Sequence, residues 1–501
     1  MSLVALAVLS TMHYEGDITS DGGDYADVPF VVPDGSVECQ VAHTDGSDSV
    51  ILDWGVWSPE GFRGWGGGLT DDAIIGVDQS SRGYLPGPIT AGTWTLSIGK
   101  ALLPTGTAHY SVDVTCRDNA TLPVLPKAAY TPIVMSPDRR WYRGDFHVHS
   151  SESGDASASL QDNVDLAHMR GLDFINASDH NTISQHALIA AQQPSWPILV
   201  MRSSEITTYS GHANGVGIHD YVDHRLGYNG RTMTNIFDDV AMQGGALIVN
   251  HPATDLGTNC LGCAWKHMDD VPWDEAAGME MITAGYDLGE SIFTPIVIGM
   301  WDQLEDAGHR IAAVGGSDDH SGAVQGGVDP SEVGSPCTLV LADNLGEAAI
   351  VDALLHHRTT VQLRGPSDPF VELTMKTSDG SDAEVGDDVD GVATAKMSVH
   401  VTSGDGTFIQ IIRDGEMIEQ IDVSGDDFTG TYEDNTTGDH RYRVELKDDG
   451  AHRLVITSHI YAHGLTGAAG GGCSSGGGAA GGLLPALALL LRRRRRIASR
   501  V

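Results

Sequence analysis

The chain has 501 residues and 41% apolar content, too long for one ordinary core and too apolar for a disordered protein. Asp and Glu outnumber Lys and Arg by 68 to 29, and six of those cations, Arg492 to Arg496 and Arg500, sit in a stretch free of acids. The rest of the chain carries a negative field that excludes duplex nucleic acid and anionic membranes as partners, while an anionic substrate stays open wherever bound cations dominate locally.

Residues 1–16 hold a short apolar run with no basic flank and no cleavage site, and read as a degenerate signal segment. From 17 to 120 short alternating runs are broken by Gly, Pro and Asp, as in VPFVV (28–32), SVILDWGVW (49–57), GTWTLSIG (92–99) and AHYSVDVTC (108–116). That pattern predicts an antiparallel β-sandwich, which Cys39 and Cys116 could bridge. Residues 121–141 are proline-rich and aperiodic, hence a linker.

Between 142 and 368 the grammar changes to buried-strand runs alternating with amphipathic stretches. The strand runs are LDFINAS (172–178), WPILVMRSSEI (196–206), GALIVNH (245–251), MEMIT (279–283) and RIAAVGGS (310–317). Helical patterns cover 159–171, 234–245, 298–309 and 345–358. Strand–helix alternation over this length predicts an α/β domain with a parallel sheet, of the barrel kind. From 369 to 464 strand alternation returns, predicting a second, immunoglobulin-like β-sandwich. Residues 465–501 are a Gly-rich linker followed by LLPALALLL and RRRRR. Nine apolar residues fall short of the roughly 20 that span a bilayer; small residues, a short apolar run and a basic stop have the plan of a sorting signal.

The chemistry lies in the α/β segment. His147 and His149 share one face of a strand in GDFHVHS, so both imidazoles can reach one ion. Asp155 follows in a Gly/Ser loop, and Asp179-His180 ends LDFINAS. Glu205 ends its run, His212 follows in the loop GHANG, His251 ends ALIVNH, and Asp318 and His320 follow RIAAVGG. Five apolar runs each end in metal-ligand chemistry, and in an α/β domain such ends converge on one face. Without a cation, nine such groups buried together would carry severe unpaired charge. The mixed set suits zinc, manganese or iron. Glu205 can bridge two ions, and a hydroxide shared between them would attack a phosphate ester, or equally an ester, amide or carbamate. Glu205, His212 and Asp318 are the residues expected to take part in the reaction itself. Arg202, Arg231 and Arg364 are candidate phosphate clamps, for which a structural role is the better reading. Cys260 and Cys263 form a CxxC expected to close a local disulfide, and Cys337 is expected to be buried and inert.

At these residues the sequence resembles the PHP (polymerase and histidinol phosphatase) superfamily, which has the HxH, the strand-end DH, the glutamate, two later histidines and a final DxH in this order. EITTYSGHANGVGI, VNHP and MWDQLEDAGHRIAAVGGSDDH are similar to its CehA/McbA branch, which includes a carbaryl hydrolase. The resemblance covers about 142–370 and implies a distorted (β/α)7 barrel with two or three divalent ions. It places His147, His149, Glu205 and Asp318 on a first ion, and Glu205, His212 and His251 on a second. Asp155, His180 and His320 would hold a third, with Asp155 where many members have histidine; Asp179 and Asn181 would support the ligands from behind. It further implies a hydrolase: a phosphoesterase on nucleotides or oligonucleotide ends, or alternatively a carbamate, amide or ester hydrolase. A surface binding protein that has lost catalysis is the non-enzymatic alternative. The tail resembles the myxobacterial MYXO-CTERM signal, implying export, a sorting protease acting near Cys473 and anchoring at the cell surface.

Overall fold

The computed structural model of the protein describes residues 8–45, 49–125, 128–283, 285–322 and 331–467. The expected sorting signal lies outside these residues. The chain is mixed α/β and mostly sheet, and among the described residues no helix is long and apolar enough to cross a membrane.

Eight strands come first: β1 (Val8–Thr19), β2 (Tyr25–Val32), β3 (Glu38–Thr44), β4 (Ile51–Ser58), β5 (Gly61–Gly67), β6 (Ala73–Gly76), β7 (Gly92–Leu102) and β8 (Thr107–Arg117). They form two four-stranded antiparallel sheets, β1-β8-β3-β6 and β2-β7-β4-β5. Alternate residues of both, such as Phe30, Trp54, Val56 and Trp94 from one and Val41, Val112 and Val114 from the other, meet in one core. Each such aliphatic or Phe side chain contributes roughly 1.5–3 kcal/mol by leaving water. Two expectations are corrected. Residues 8–16 are the first part of β1, with Met12 opposite Val114, so the segment read as part of a signal is strand from Val8 onward. Cys39 and Cys116 face each other on neighbouring strands, so their disulfide ties β3 to β8 within one sheet and does not cross between sheets.

The central strands are β9 (Arg140–Val148), β10 (Phe174–Ala177), β11 (Leu199–Thr208), β12 (Gly211–Val216), β13 (Ala246–Val249), β14 (Ala276–Thr283), β15 (Ala312–Gly316), β16 (Cys337–Ala342) and β17 (Thr359–Gln362). Their order is β15-β14-β13-β12-β11-β10-β9-β16-β17. The sheet curls until its β15 end returns to β9: Asp318 N donates to His147 O at 2.8 Å and His149 N to Asp319 O at 3.0 Å. Helices Leu160–Met169 and Met233–Met242 begin at Ser159 and Thr232, whose hydroxyls accept from the third residue on while that residue's side chain answers the cap. The expected (β/α)7 regularity breaks at β12, which runs antiparallel to both β11 and β13 and follows β11 through a tight hairpin with no helix between.

The last ten strands are β18 (Phe370–Lys376), β19 (Asp382–Glu384), β20 (Asp388–Asp390), β21 (Ala395–Thr402), β22 (Phe408–Arg413), β23 (Glu416–Asp422), β24 (Asp427–Asp434), β25 (Thr437–Lys447), β26 (Arg453–Thr457) and β27 (Ile460–Thr466). The sheet β19-β18-β21-β24 packs its Val371, Leu373, Val399 and Val401 against Ile409, Val444 and Val455 of the others. Those others are not a separate sheet: β26 pairs with β17, so the central sheet continues into this region. Arg443 seals the junction, its guanidinium on Asp302 at 2.5 and 3.0 Å.

Candidate metal centre

The cluster is assembled at the ends of β9 to β15. His147 is in β9 with His149 one residue past it, and Glu205 lies inside β11. His180, His251 and Asp318 follow β10, β13 and β15. Three residues here hold left-handed backbone that only Gly adopts freely: Asn181 (φ 51°), His251 (φ 28°) and Asp318 (φ 56°). Such strain, on the order of 1–3 kcal/mol each, turns the chain sharply off the strand and aims the side chain inward.

His212 is not in a loop. It sits on β12 directly opposite Thr207, so it shares a face with Thr207 and Glu205. The small residues of GHANGV let β12 be buried throughout, although its polarity reads as loop.

The Glu205 carboxylate is the hub. Its Oε1 faces His147 Nε2 at 3.4 Å, His212 Nδ1 at 3.3 Å and His251 Nε2 at 3.3 Å. Its Oε2 faces His149 Nε2 at 3.7 Å and His180 Nδ1 at 2.7 Å. Asp318 Oδ1 lies 3.2 Å from His147 Nε2 and 3.1 Å from His149 Nε2. His180 Nε2 meets His320 Nε2 at 3.3 Å, and Asp155 reaches them at 3.4 and 3.6 Å with its side chain 61% exposed. All nine sequence candidates are therefore brought to one place, with Asp155 at the rim.

Burial would raise the Glu205 carboxyl, yet the facing His147, His180 and His212 hold it well below the carboxylate range. Asp318 is likewise held low, against burial, by His147 and His149. Burial, with His320 and His180 alongside, pushes His149 down to about 3. His320 is raised to about 9 because Asp155 and Asp318 outweigh its burial. The cluster thus pairs the buried Glu205 and half-buried Asp318 with imidazoles of both tendencies: burial holds His149 neutral, while the facing carboxylates raise His147, His180 and His320.

A cation would balance these carboxylates without requiring the imidazoles to be protonated. His147 Nε2, His149 Nε2 and His251 Nδ1 are buried with no hydrogen-bond partner, the state of lone pairs awaiting an ion. Donor atoms within 4.8 Å of one another form four groups: His147, His149 and Glu205; His147, His251 and Asp318; His149, His180 and His320; His212, His251 and Cys263. These groups change the expected assignment: His251 also stands with His147 and Asp318, and Asp155 is in none of them. His149 stands with His180 and His320 as well as with Glu205, and Cys263 joins His212 and His251.

Glu280 was not among the candidates. From β14 its Oε1 lies 2.9 Å from His147 Nδ1, and its Oε2 accepts from His251 N at 2.8 Å. It fixes which His147 nitrogen is left for the ion and also holds the strained His251 backbone. The signal was present: a lone carboxylate inside the apolar run MEMIT (279–283) must serve something buried. Ser153 Oγ lies 3.0 Å from His149 Nδ1, and Asn250 donates to Glu205 Oε1 at 2.9 Å. Asp179 supports the 150–153 loop, accepting from Ser150 N at 2.7 Å and Ser153 N at 3.1 Å. Asn181 pins β11 by accepting from Thr207 N and donating to its carbonyl.

The three arginines considered as phosphate clamps are each engaged elsewhere: Arg202 by Glu347, Arg231 by Asp239 and Arg364 by Asp368. The N-terminal sandwich contacts the rim. Glu152 accepts from Gly83 N at 3.1 Å, Thr182 donates to Gly83 O at 2.9 Å, and Tyr209 OH donates to Asp53 at 2.6 Å.

No family model and no curated protein matches the chain. Among solved structures, a two-domain protein from Bacteroides vulgatus containing a predicted PHP-like metal-dependent phosphoesterase is 16% identical, with TM-score 0.36, over 67% of this chain and 99% of that one. An amidohydrolase from Chromobacterium violaceum, with bound sulfate and no metal, is 14% identical, with TM-score 0.23, over 38% and 91%. Likeness this low decides nothing about activity, which rests on the cluster's own residues.

Proposed function

We propose that the protein is a metal-dependent hydrolase of the PHP kind, exported and acting as a phosphoesterase on small phosphoesters such as nucleotides or oligonucleotide ends. The observation that carries this is the Glu205 carboxylate, which offers one oxygen to His147, His212 and His251 and the other to His149 and His180. A carboxylate between two histidine sets is what two ions would need to share. Bound there, divalent zinc, manganese or iron would supply a Lewis acid for the substrate oxygen and an acidified water.

The chain's own work is orientation. Glu280 holds the His147 ring, Ser153 the His149 ring, and Asn250 the Glu205 carboxylate. Asp318 adds a second, half-buried carboxylate against His147 and His149. With the three arginines occupied, a phosphate's charge would have to be met by the bound cations. Export is supported by the Cys39–Cys116 disulfide, a bond that persists in oxidising compartments.

The test is hydrolysis by purified protein loaded with manganese or zinc, on p-nitrophenyl phosphate, the p-nitrophenyl ester of thymidine monophosphate and an aryl carbamate. Phosphoester cleavage that a chelator abolishes is expected. Glu205→Gln should lower it about a hundredfold or more. Carbamate cleavage without phosphoester cleavage would replace this reading with that of a carbamate or amide hydrolase, and under one ion per chain would leave a binding protein.

A further inference from the structure

We propose that Cys263, once the Cys260–Cys263 disulfide is reduced, is a further protein ligand beside Glu205, His212 and His251, so that the oxidation state of this turn sets how tightly that ion is held. The proposal rests on the reading of the cluster as a metal centre. Cys263 is 1% exposed, and its Sγ lies 4.0 Å from His212 Nδ1. That same nitrogen faces Glu205 Oε1 at 3.3 Å, while Nε2 sits 3.3 Å from the carbonyl of Leu261, a residue inside the CxxC. One short turn therefore both orients the ring and brings a sulfur to its metal-facing nitrogen. His251 belongs to the same donor group, its Nε2 facing that Glu205 oxygen at 3.3 Å.

The placement of the turn is built into the fold. Gly262 has φ 81°, and a Cβ there would come within 2.7 Å of Tyr209 Cα, so only glycine lets the turn lie against the β11–β12 hairpin. Trp265 N to Pro252 O and Lys266 N to Ser210 O, both at 3.0 Å, fasten the following segment to the chain beside His251 and to the hairpin.

As a disulfide, Cys263 sulfur is uncharged and a poor donor. A dithiol reductant transfers two electrons and two protons, breaking the S–S bond to give two thiols and its own disulfide. On coordination the Cys263 thiol releases its proton to solvent and the cation takes that place. The donor set then gains a soft thiolate, which favours zinc over manganese.

Cobalt(II) titration of the full chain, followed by absorbance, tests this. Reduction should bring a thiolate-to-cobalt charge-transfer band and tighten the binding at least about tenfold. Cys260→Ser should show the band without reductant. Cys263→Ser should show only cobalt ligand-field bands in either state. Ligand-field bands alone in the reduced protein and in Cys260→Ser overturn the proposal and leave the metal centre standing. A band that survives in Cys263→Ser assigns it to another thiol and also overturns it. No cobalt binding at all removes both readings.

Discussion

Glu280 shows how much one buried carboxylate can control. Its two oxygens serve two ligands on different strands, the His147 ring and the His251 backbone. Glu280→Gln keeps the shape but cannot accept at both oxygens. It should weaken the binding of the tightest ion about 10–100-fold, measured by competition with a chelating dye, with the thermal unfolding of the chelated protein little changed. Most of the ligands were readable because they end apolar runs, a position where packing alone does not call for histidine or aspartate; Asp155 and His212 were read from the loops beside them. Glu280 was hidden within a run. Cys263 was read only as half of a disulfide, since spacing does not disclose that the chain brings it to His212.

At the scale of elements, β15 must pass close behind β9 for Asp318 to reach His147 and His149. Gly316 makes that approach possible: a Cβ there would lie 2.7 Å from Glu280 Oε1 and closer still to the His147 side chain. Gly316→Ala should therefore displace His147, lowering metal content and activity together; a crystal structure showing His147 unmoved would contradict it. The five central strand runs were legible from apolar content, and each lies where its run predicts within a few residues. β12 was not, because Gly, Ala and Asn fill a buried strand whose neighbours, not its own hydrophobicity, cover it. The helix Gln185–Gln192 also went unread, for Ser184 provides no side-chain cap and only Gln185 and Ile189 are buried.

Across the whole molecule, burial keeps several histidines outside the metal cluster neutral. His224 is pushed down to about 3, while His43, His186 and His357 are pushed down to about 4, each mainly by burial. The unfolded chain protonates them near 6.5, so it takes up protons the folded chain refuses. Stability is full above that value and is lost as pH falls from about 6.5 toward 4. Asp53 works the opposite way, burial raising it to about 6, so that its contribution falls as pH rises toward that value. His224→Gln isolates one histidine: denaturant unfolding at pH 7, 6 and 5 should show a pH slope shallower by about one proton. An unchanged slope would mean that His224 is protonated in the folded chain.

The pairing of β17 with β26 bears on how the protein is made. Val361 of β17 and Ile456 of β26 share the core of the α/β region, although almost a hundred residues separate them. On a ribosome the α/β region emerges well before β26 does, and until then β17 presents a bare, hydrogen-bonding edge. Completion of the α/β region therefore waits on the last tenth of the folded chain, and a protein cut short after residue 368 should emerge aggregation-prone, not as a smaller stable domain.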